Sequence, residues 1–328
     1  TTGTASVVLD IDASLVQVHS ENKEHTAATY KGGFGFHPMF CFADATGEAL
    51  AAILRPGNAG ANTVADHLAV LDTAIGQLPD IVASGHRVGE DPALAQRPVM
   101  VRADSAGCTH GFVNGCRDRN IGFAVAARSN ASVHAAISRV AHNADAWTPA
   151  LTQAGERRRG ASVCEVTELV DLDNWPEGTR LIIRREPLHP GAQRSLFPSL
   201  AYRFWGHYTD QAGEAVDLDV TMRAHAHVEN HIARLKDAGL ERFPFTNFDA
   251  NTAWLQIVCW SADLVRWFPL LCCDGALAAA APKTMRWRFW HAPARVVRTA
   301  RRHIVRIAQG WPWADEIVAA HTRINALT

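Results

Sequence analysis

The sequence predicts an α/β protein, and three observations carry that expectation: strand-like runs joined by short turns at the start, alternating helical and strand-like segments after them, and a mostly helical end. Residues 5–12 (ASVVLDID) form a β-branched run that ends in acids. Residues 35–43 and 48–54 are two further strand-like runs separated by Asp44-Ala45-Thr46-Gly47, so the three read as a meander. Asn62 then offers an N-cap, and Val64, Leu68, Leu71, Ile75 and Leu78 recur at offsets of 4, 3, 4 and 3, one face of a helix that stops before Pro79. Gly85, Gly89, Pro92 and Pro98 mark residues 83–98 as a surface loop. Residues 99–103 (VMVRA) make a short strand ended by Asp104, followed by a short helix over 108–118 and a fifth strand over 121–126. From 147 to 219 the pattern is β-like at 162–170 and 179–185, with turns at Pro176-Glu177-Gly178 and Pro190-Gly191. Helix returns from Arg223, where Val228, Ile232 and Leu235 form one stripe and Gly239 a C-terminal stop, and residues from 249 on read mostly as helix. These shifts divide the chain into a first core segment (1–144), a β-rich insertion (145–220), and a segment that completes the core and ends in a basic helical region (221–328).

Composition excludes whole classes. With 328 residues, 48% hydrophobic and 20% charged, the chain has the balance of a folded domain and not of a disordered tail. The 32 Lys+Arg against 33 Asp+Glu leave a net charge of −1, so any polyanion must be met by local clusters. Seven cysteines, at 41, 108, 116, 164, 259, 272 and 273, form no CxxC pair, which argues against a disulfide framework or a structural zinc site. Cys108, close to Asp104, lacks a Cys-His-Asn arrangement and reads as a small buried apolar group. The apolar stretch 254–267 is interrupted by Gln256, Ser261, Asp263 and Arg266, and no basic-then-apolar leader opens the chain, so we expect a soluble cytoplasmic protein with no membrane partner. Because the first residue is Thr and a strand begins within a few residues of it, we also expect a fragment of a longer protein.

The acids carry the chemistry. Asp12 and Asp104 end two strands that the element order makes neighbours, and Glu229 lies on the helix after the insertion. Three carboxylates arriving from two strand ends and a helix suit hard divalent cations such as Mg²⁺ or Mn²⁺. Two such ions about 4 Å apart can activate the attacking oxygen and stabilise the leaving one in phosphoryl transfer. The bland alternative is that each acid caps a strand end or faces water.

The segments LDIDASL (9–15), YKGGFGFHPMF (30–40), LRPGNAGANTVADH (54–67), VRADSAG (101–107), HVENHIARLKDAGL (227–240) and WPWAD (311–315) resemble, in order and nearly end to end, bacterial DDE transposases, most closely the insertion-sequence-1380 family. The resemblance implies an RNase H-like core with a β-rich insertion between the second Asp and the Glu. It implies metal-dependent phosphodiester cleavage and strand transfer in DNA transposition, Asp12, Asp104 and Glu229 as catalytic and metal-binding residues, Mg²⁺ or Mn²⁺ as a pair of ions, DNA ends and target as partners, and a homodimer on DNA. Asp10 rivals Asp12, since both lie on one strand face; the small residue and hydroxyl that follow Asp12 (Ala13-Ser14) favour it. Lys236 lies seven residues after Glu229 on the same helix face, where the wider group holds a phosphate, whereas Met222 and His225 occupy that group's Tyr and Arg positions.

Two other readings compete. His227 and His231 have the i, i+4 spacing of a zinc site, although the Glu of an HExxH pattern is misplaced and no third ligand is evident. A catalytically inactive remnant that only binds DNA is the other. No acid occurs between Asp274 and Asp315, while Lys283, Arg286, Arg288, Arg295, Arg298, Arg301, Arg302 and Arg306 fall inside that window. Arg295, Arg298, Arg302 and Arg306, at offsets of 3, 4 and 4, are expected to form one basic helix face for DNA phosphates, with Trp287 and Trp290 available to stack on bases. Arg157-Arg158-Arg159 and Arg184-Arg185 are smaller patches of the same kind.

Overall fold

Val7–Ala13 (β1) occupies the middle of the main sheet because both its faces are covered: Leu9 and Ile11 turn to one apolar layer, and Asp10 and Asp12 to the other face. The computed structural model describes residues 7–29, 31–188 and 202–327; the expected start of the first strand before Val7, Tyr30 and the Pro190-Gly191 turn lie outside these residues. Short strands Val16–Val18 (β2), Ala27–Ala28 (β3) and Phe34–Phe36 (β4) form a separate three-stranded sheet in the order β2-β4-β3. Met39–Ala43 (β5) and Ala49–Ile53 (β6) return antiparallel beside β1, completing the expected meander. In β5 the alternation is strict: Met39 and Cys41 join the layer of Leu9 and Ile11, while Phe40 and Phe42 join the opposite one.

Val64–Gln77 (α1) covers the first layer through Val70, Leu71, Ala74 and Ile75; its N-cap is Thr63, one residue after the expected Asn62. The short helix Asp80–Ala83 (α2) follows, and Val99–Ala103 (β7) forms where expected, fully buried and parallel to β1. His110–Arg117 (α3) begins at a Thr109 cap, and Gly122–Ala126 (β8) pairs parallel to β7. Strand order β6-β5-β1-β7-β8, with an antiparallel meander feeding two parallel strands through helices, is the RNase H-like core. Ala131–Val140 (α4), which the sequence pattern left undescribed, closes this layer with Val133 and Ile137 beneath an Asn130 cap.

The insertion extends this sheet. Thr148–Leu151 (β9), Arg157–Glu165 (β10), Arg180–Pro187 (β11) and Tyr202–Thr209 (β12) add antiparallel in the order β8-β12-β11-β10-β9, giving nine strands among the described residues. Ala215–Arg223 (α5) and His227–Ala238 (α6) lead back to the core, and Gly239, at φ 122, ends α6. Val228, Ile232 and Leu235 of α6 pack with Phe40 and Phe42 on the sheet and with Leu255, Val258 and Cys259 of the long helix Phe248–Cys272 (α7).

At 25 residues α7 is long and apolar enough to cross a membrane, despite the polar interruptions in its sequence. One face of it is nevertheless core, where Asp263 is buried and accepts a hydrogen bond from the Ala49 amide at 2.9 Å. Its outer face stays apolar and exposed at Ile257, Trp260, Leu264, Trp267 and Leu271.

Beyond α7 lie Pro282–Met285 (α8), a hairpin of Ala294–Thr299 (β13) and Arg302–Ile307 (β14), and Ala314–Ala326 (α9). The hairpin corrects the expected basic helix. The 3, 4, 4 spacing of its arginines fits a helical stripe, but Val296-Val297 and Ile304-Val305 are β-branched pairs on either side of a two-residue turn, and the β preference prevails. Arg295, Arg302 and Arg306 consequently share one face of the ribbon, and Arg298 lies on the other.

Two glycines explain the long motif strings. A Cβ on Gly35 would lie 2.1 Å from the Val16 carbonyl oxygen, and one on Gly57 2.5 Å from that of Gly35, so only glycine lets these backbones meet. Arg55, beside them, is buried and ties the strings together through the His37 carbonyl at 2.9 Å and Asp66 at 3.0 Å.

Candidate active site

In the parallel register of β1 and β7, Asp10 faces Arg102 and Ile11 faces Ala103. Asp12 and Asp104 therefore come next, side by side where the two strands end. Each carboxylate is aimed by its own turn: Asp12 Oδ1 accepts the Ala13 amide at 2.7 Å, and Asp104 Oδ1 the Ala106 amide at 2.8 Å. Both are half-buried, whereas Glu229, in the first turn of α6, is exposed. Burial pushes the Asp12 carboxyl up to about 6, and the charges of Asp104 and Glu229 add to the rise; the Ala13 amide and His225 oppose it. Asp104 and Glu229 are thus both close enough to act on Asp12 electrostatically.

Beneath them lies a network that sequence patterns did not reveal. Asp10 is wholly buried and takes a bidentate contact from Arg102, at 2.8 and 2.6 Å, and a third from His225 Nδ1 at 2.7 Å. Burial alone would raise the Asp10 carboxyl, but the hydrogen bonds from His225 and Arg102 outweigh it and hold it below its ordinary value. Arg102 also reaches Asp44 at 2.9 Å and the Thr221 carbonyl at 2.8 Å, joining β1, β7 and the end of α5. With every Asp10 oxygen engaged, Asp12 is the acid of this strand with room for another ligand. The available signal was an arginine inside an otherwise apolar strand, VMVRA.

Among the described residues, no three His, Cys, Asp or Glu side chains converge tightly enough to enclose a cation. The expected three-carboxylate cage is therefore not closed; what adjoins is the Asp12–Asp104 pair. That pair fits a hard cation, because Mg²⁺ commonly takes one or two carboxylates and fills its shell with water and substrate phosphates. The raised Asp12 marks the same site as one where burial, with smaller contributions from Asp104 and Glu229, disfavours the bare carboxylate.

The zinc reading fails on the same geometry. His227 is held by Asp44 at 3.0 Å, while His231 packs against the Phe42 ring at 5.3 Å and burial lowers its pKa. Cys108 is buried and its thiol is raised by burial, as a packing residue requires.

A cavity of about 830 Å³ opens beside Asp104, walled by Arg128, His134, Phe204 and Trp205. Arg184 and Arg203 sit over the Trp205 ring at 5.0 and 5.3 Å. Arg184 and Arg185 are not free patches: Arg184 pairs with Asp219 at 2.9 Å, and Arg185 lies over the Trp147 ring at 4.2 Å. Lys236 is exposed on α6, 3.8 Å from Glu241. Trp287 and Trp290 are exposed, and Arg295, Arg298, Arg302 and Arg306 stand on the hairpin.

No curated protein matches the sequence. A piggyBac transposase, solved as a synaptic complex with hairpin DNA, is similar at a TM-score of 0.43 and 10% identity; the match covers 78% of this chain and 46% of that one, so this chain spans less than half of that relative's length. The family profile described as transposase DDE domain group 1 matches residues 1–328, the whole chain, and the protein belongs to that family.

Proposed function

We propose that this chain is the catalytic part of a DNA transposase, cleaving a phosphodiester at an element end and joining the freed 3′-hydroxyl to a second phosphodiester. The observation that carries this reading is the placement of Asp12 beside Asp104 at two parallel strand ends, with Asp12 raised to about 6, in a chain of a DDE transposase family. Bound Mg²⁺ or Mn²⁺, as one ion or two, supplies positive charge to the transferring phosphoryl group and makes the attacking oxygen more acidic. In this reading Asp12 and Asp104 would hold it, and Glu229 on α6 would be the third carboxylate near it.

Asp12 has to give up its proton to serve as a ligand, so its elevated pKa makes cation binding compete with a proton and strengthen as pH rises. Arg102 and His225 act through Asp10, keeping β1, β7 and the turn between α5 and α6 in fixed relation. The cavity beside Asp104 offers aromatic and cationic walls to a DNA strand, and Lys236 a cation to its backbone. The segments 1–144, 145–220 and 221–328 correspond in this proposal to the Asp-bearing core, the insertion, and the Glu-bearing completion with its basic region. The working unit is a pair of chains, one for each element end.

The test is cleavage of a labelled duplex with Mg²⁺ or Mn²⁺ and a chelator control, using wild type, Asp12→Asn, Asp104→Asn and Glu229→Gln. Metal-dependent nicking lost in all three variants supports the reading. Cleavage retained in Asp104→Asn removes that residue from the centre, and binding without any cleavage supports the inactive DNA-binding form instead.

A further inference from the structure

The β13–β14 ribbon is hydrogen-bonded to no other strand among the described residues, and all but Val297 and Ile307 of its residues are exposed. A lone two-stranded hairpin is marginally stable in water, so its sequence would be expected to favour it. It does the reverse. Arg295 stands directly across from Arg306, and like charges in that relation repel. The turn residues Ala300 and Arg301 both have positive φ, 44° and 65°, without glycine or asparagine. Among the described residues, none of Arg295, Arg298, Arg301, Arg302 and Arg306 has an acidic partner within ion-pair distance. Such an arm is unfavourable alone and is relieved by a polyanion.

Its cations are arranged on both faces. Arg295, Arg302 and Arg306 share one face, and Arg298, directly across from the His303 imidazole, the other, with Arg301 at the tip. A ribbon with its side chains is about 10 Å thick, the spacing of packed sheets, and the major groove of duplex DNA is about 12 Å wide, with a phosphate rail on each side. Val296 and Val305 are neighbours on the second face, 67% and 63% exposed, and offer apolar contact to sugars and thymine methyl groups.

The geometry points to this hairpin as a duplex-reading arm that enters the major groove, Arg295, Arg302 and Arg306 facing one phosphate rail and Arg298 with His303 the other. The inference rests on the proposal that the substrate is DNA and adds the element that grips it, the groove it enters and the preference for duplex over single strand.

The experiment is fluorescence anisotropy of a labelled 30-base-pair duplex with the full chain, from 50 to 200 mM salt. Arg295→Gln/Arg306→Gln and, separately, Arg298→Gln are compared with Arg97→Gln/Arg139→Gln, which removes two exposed charges elsewhere. The first double variant is expected to lower the log–log salt slope by about 1.8, at about 0.9 per lost phosphate contact, and to weaken binding at least tenfold. Arg298→Gln is expected to lower the slope by about 0.9, and the control pair not to change it. Guanine N7 protection from dimethyl sulfate should appear with wild type and fade with the arm variants. Melting curves show that each variant is folded.

Unchanged slopes in the arm variants overturn the inference. So does equal competition by single-stranded DNA or by phosphatidylserine vesicles, or absence of duplex binding by wild type. The catalytic proposal stands or falls separately, on metal-dependent nicking by wild type and Asp104→Asn, since an arm can bind without cleavage and cleavage can persist without this arm.

Discussion

Asp10 and Arg102 face each other across adjacent parallel strands and close a buried bidentate ion pair, two residue pairs below Asp12 and Asp104. Removing one partner of a buried pair leaves the other charge without compensation. Asp10→Asn is therefore expected to destabilise the fold by about 3 kcal/mol, the lower part of the usual range because Asp44 still contacts Arg102. Denaturant midpoints measure this directly. The double replacement Asp10→Leu/Arg102→Met should cost less than Asp10→Asn alone; if it costs more, the pair contributes net stability rather than fixing geometry.

Asp12 makes the fold sensitive to pH. Its acid is raised to about 6 from an ordinary value of 3.8, so the folded chain binds this proton more tightly than the unfolded one. The stability it contributes is complete below about pH 4 and is lost as pH rises through about 6. Asp263, also raised to about 6 by burial, titrates in the same window, so the comparison must be between variants. Asp12→Asn keeps the oxygen that accepts the Ala13 amide and removes the buried charge together with its repulsion from Asp104 and Glu229. It is expected to exceed wild type in stability by about 2 kcal/mol at pH 7.5, with the difference vanishing near pH 4. A constant difference across that range would place the Asp12 effect elsewhere.

Divalent cations should reverse that penalty. A cation that binds only the folded chain stabilises it in proportion to the logarithm of its concentration. At pH 7.5, millimolar Mn²⁺ is expected to raise the melting temperature of wild type by a few degrees, and not that of Asp12→Asn or Asp104→Asn. Glu229→Gln should retain most of the shift, because Glu229 is exposed and does not close a cage with the two aspartates. Loss of the shift in Glu229→Gln would mean that the free protein already gathers all three acids around the ion.

The core strands and α1 were legible because their signals are local: short apolar runs in β5 and β7, a helical stripe that stops before Pro79, and acids at strand ends. The site was legible only in outline. Asp12 and Asp104 stand out as strand-terminal acids, whereas the tie between Asp10 and Arg102 spans 92 residues and depends on the parallel register, which no local pattern encodes. The hairpin is masked in the sequence for a different reason. Four arginines at offsets of 3, 4 and 4 satisfy a helix as well as a ribbon, and the deciding feature is the pairing of Val296 with Val305 and Val297 with Ile304 across a two-residue turn.

That turn yields the last prediction. Ala300 and Arg301 adopt the left-handed region at φ 44° and 65°, between Thr299 and Arg302, which pair directly. A two-residue turn of this hand favours asparagine at its first position, and alanine there pays about 1 kcal/mol in contact between its Cβ and the backbone. Ala300→Asn removes that strain without altering any charge, so it separates the shape of the arm from its cations. Amide hydrogen exchange over residues 294–307 should slow several-fold, corresponding to about 0.5–1 kcal/mol. Duplex DNA affinity should rise slightly or hold, because an arm already in its bound shape loses less entropy on binding. Faster exchange in Ala300→Asn would show that the turn relaxes out of this conformation in solution, and tighter DNA binding alongside unchanged exchange would assign the gain to a new contact made by the asparagine itself.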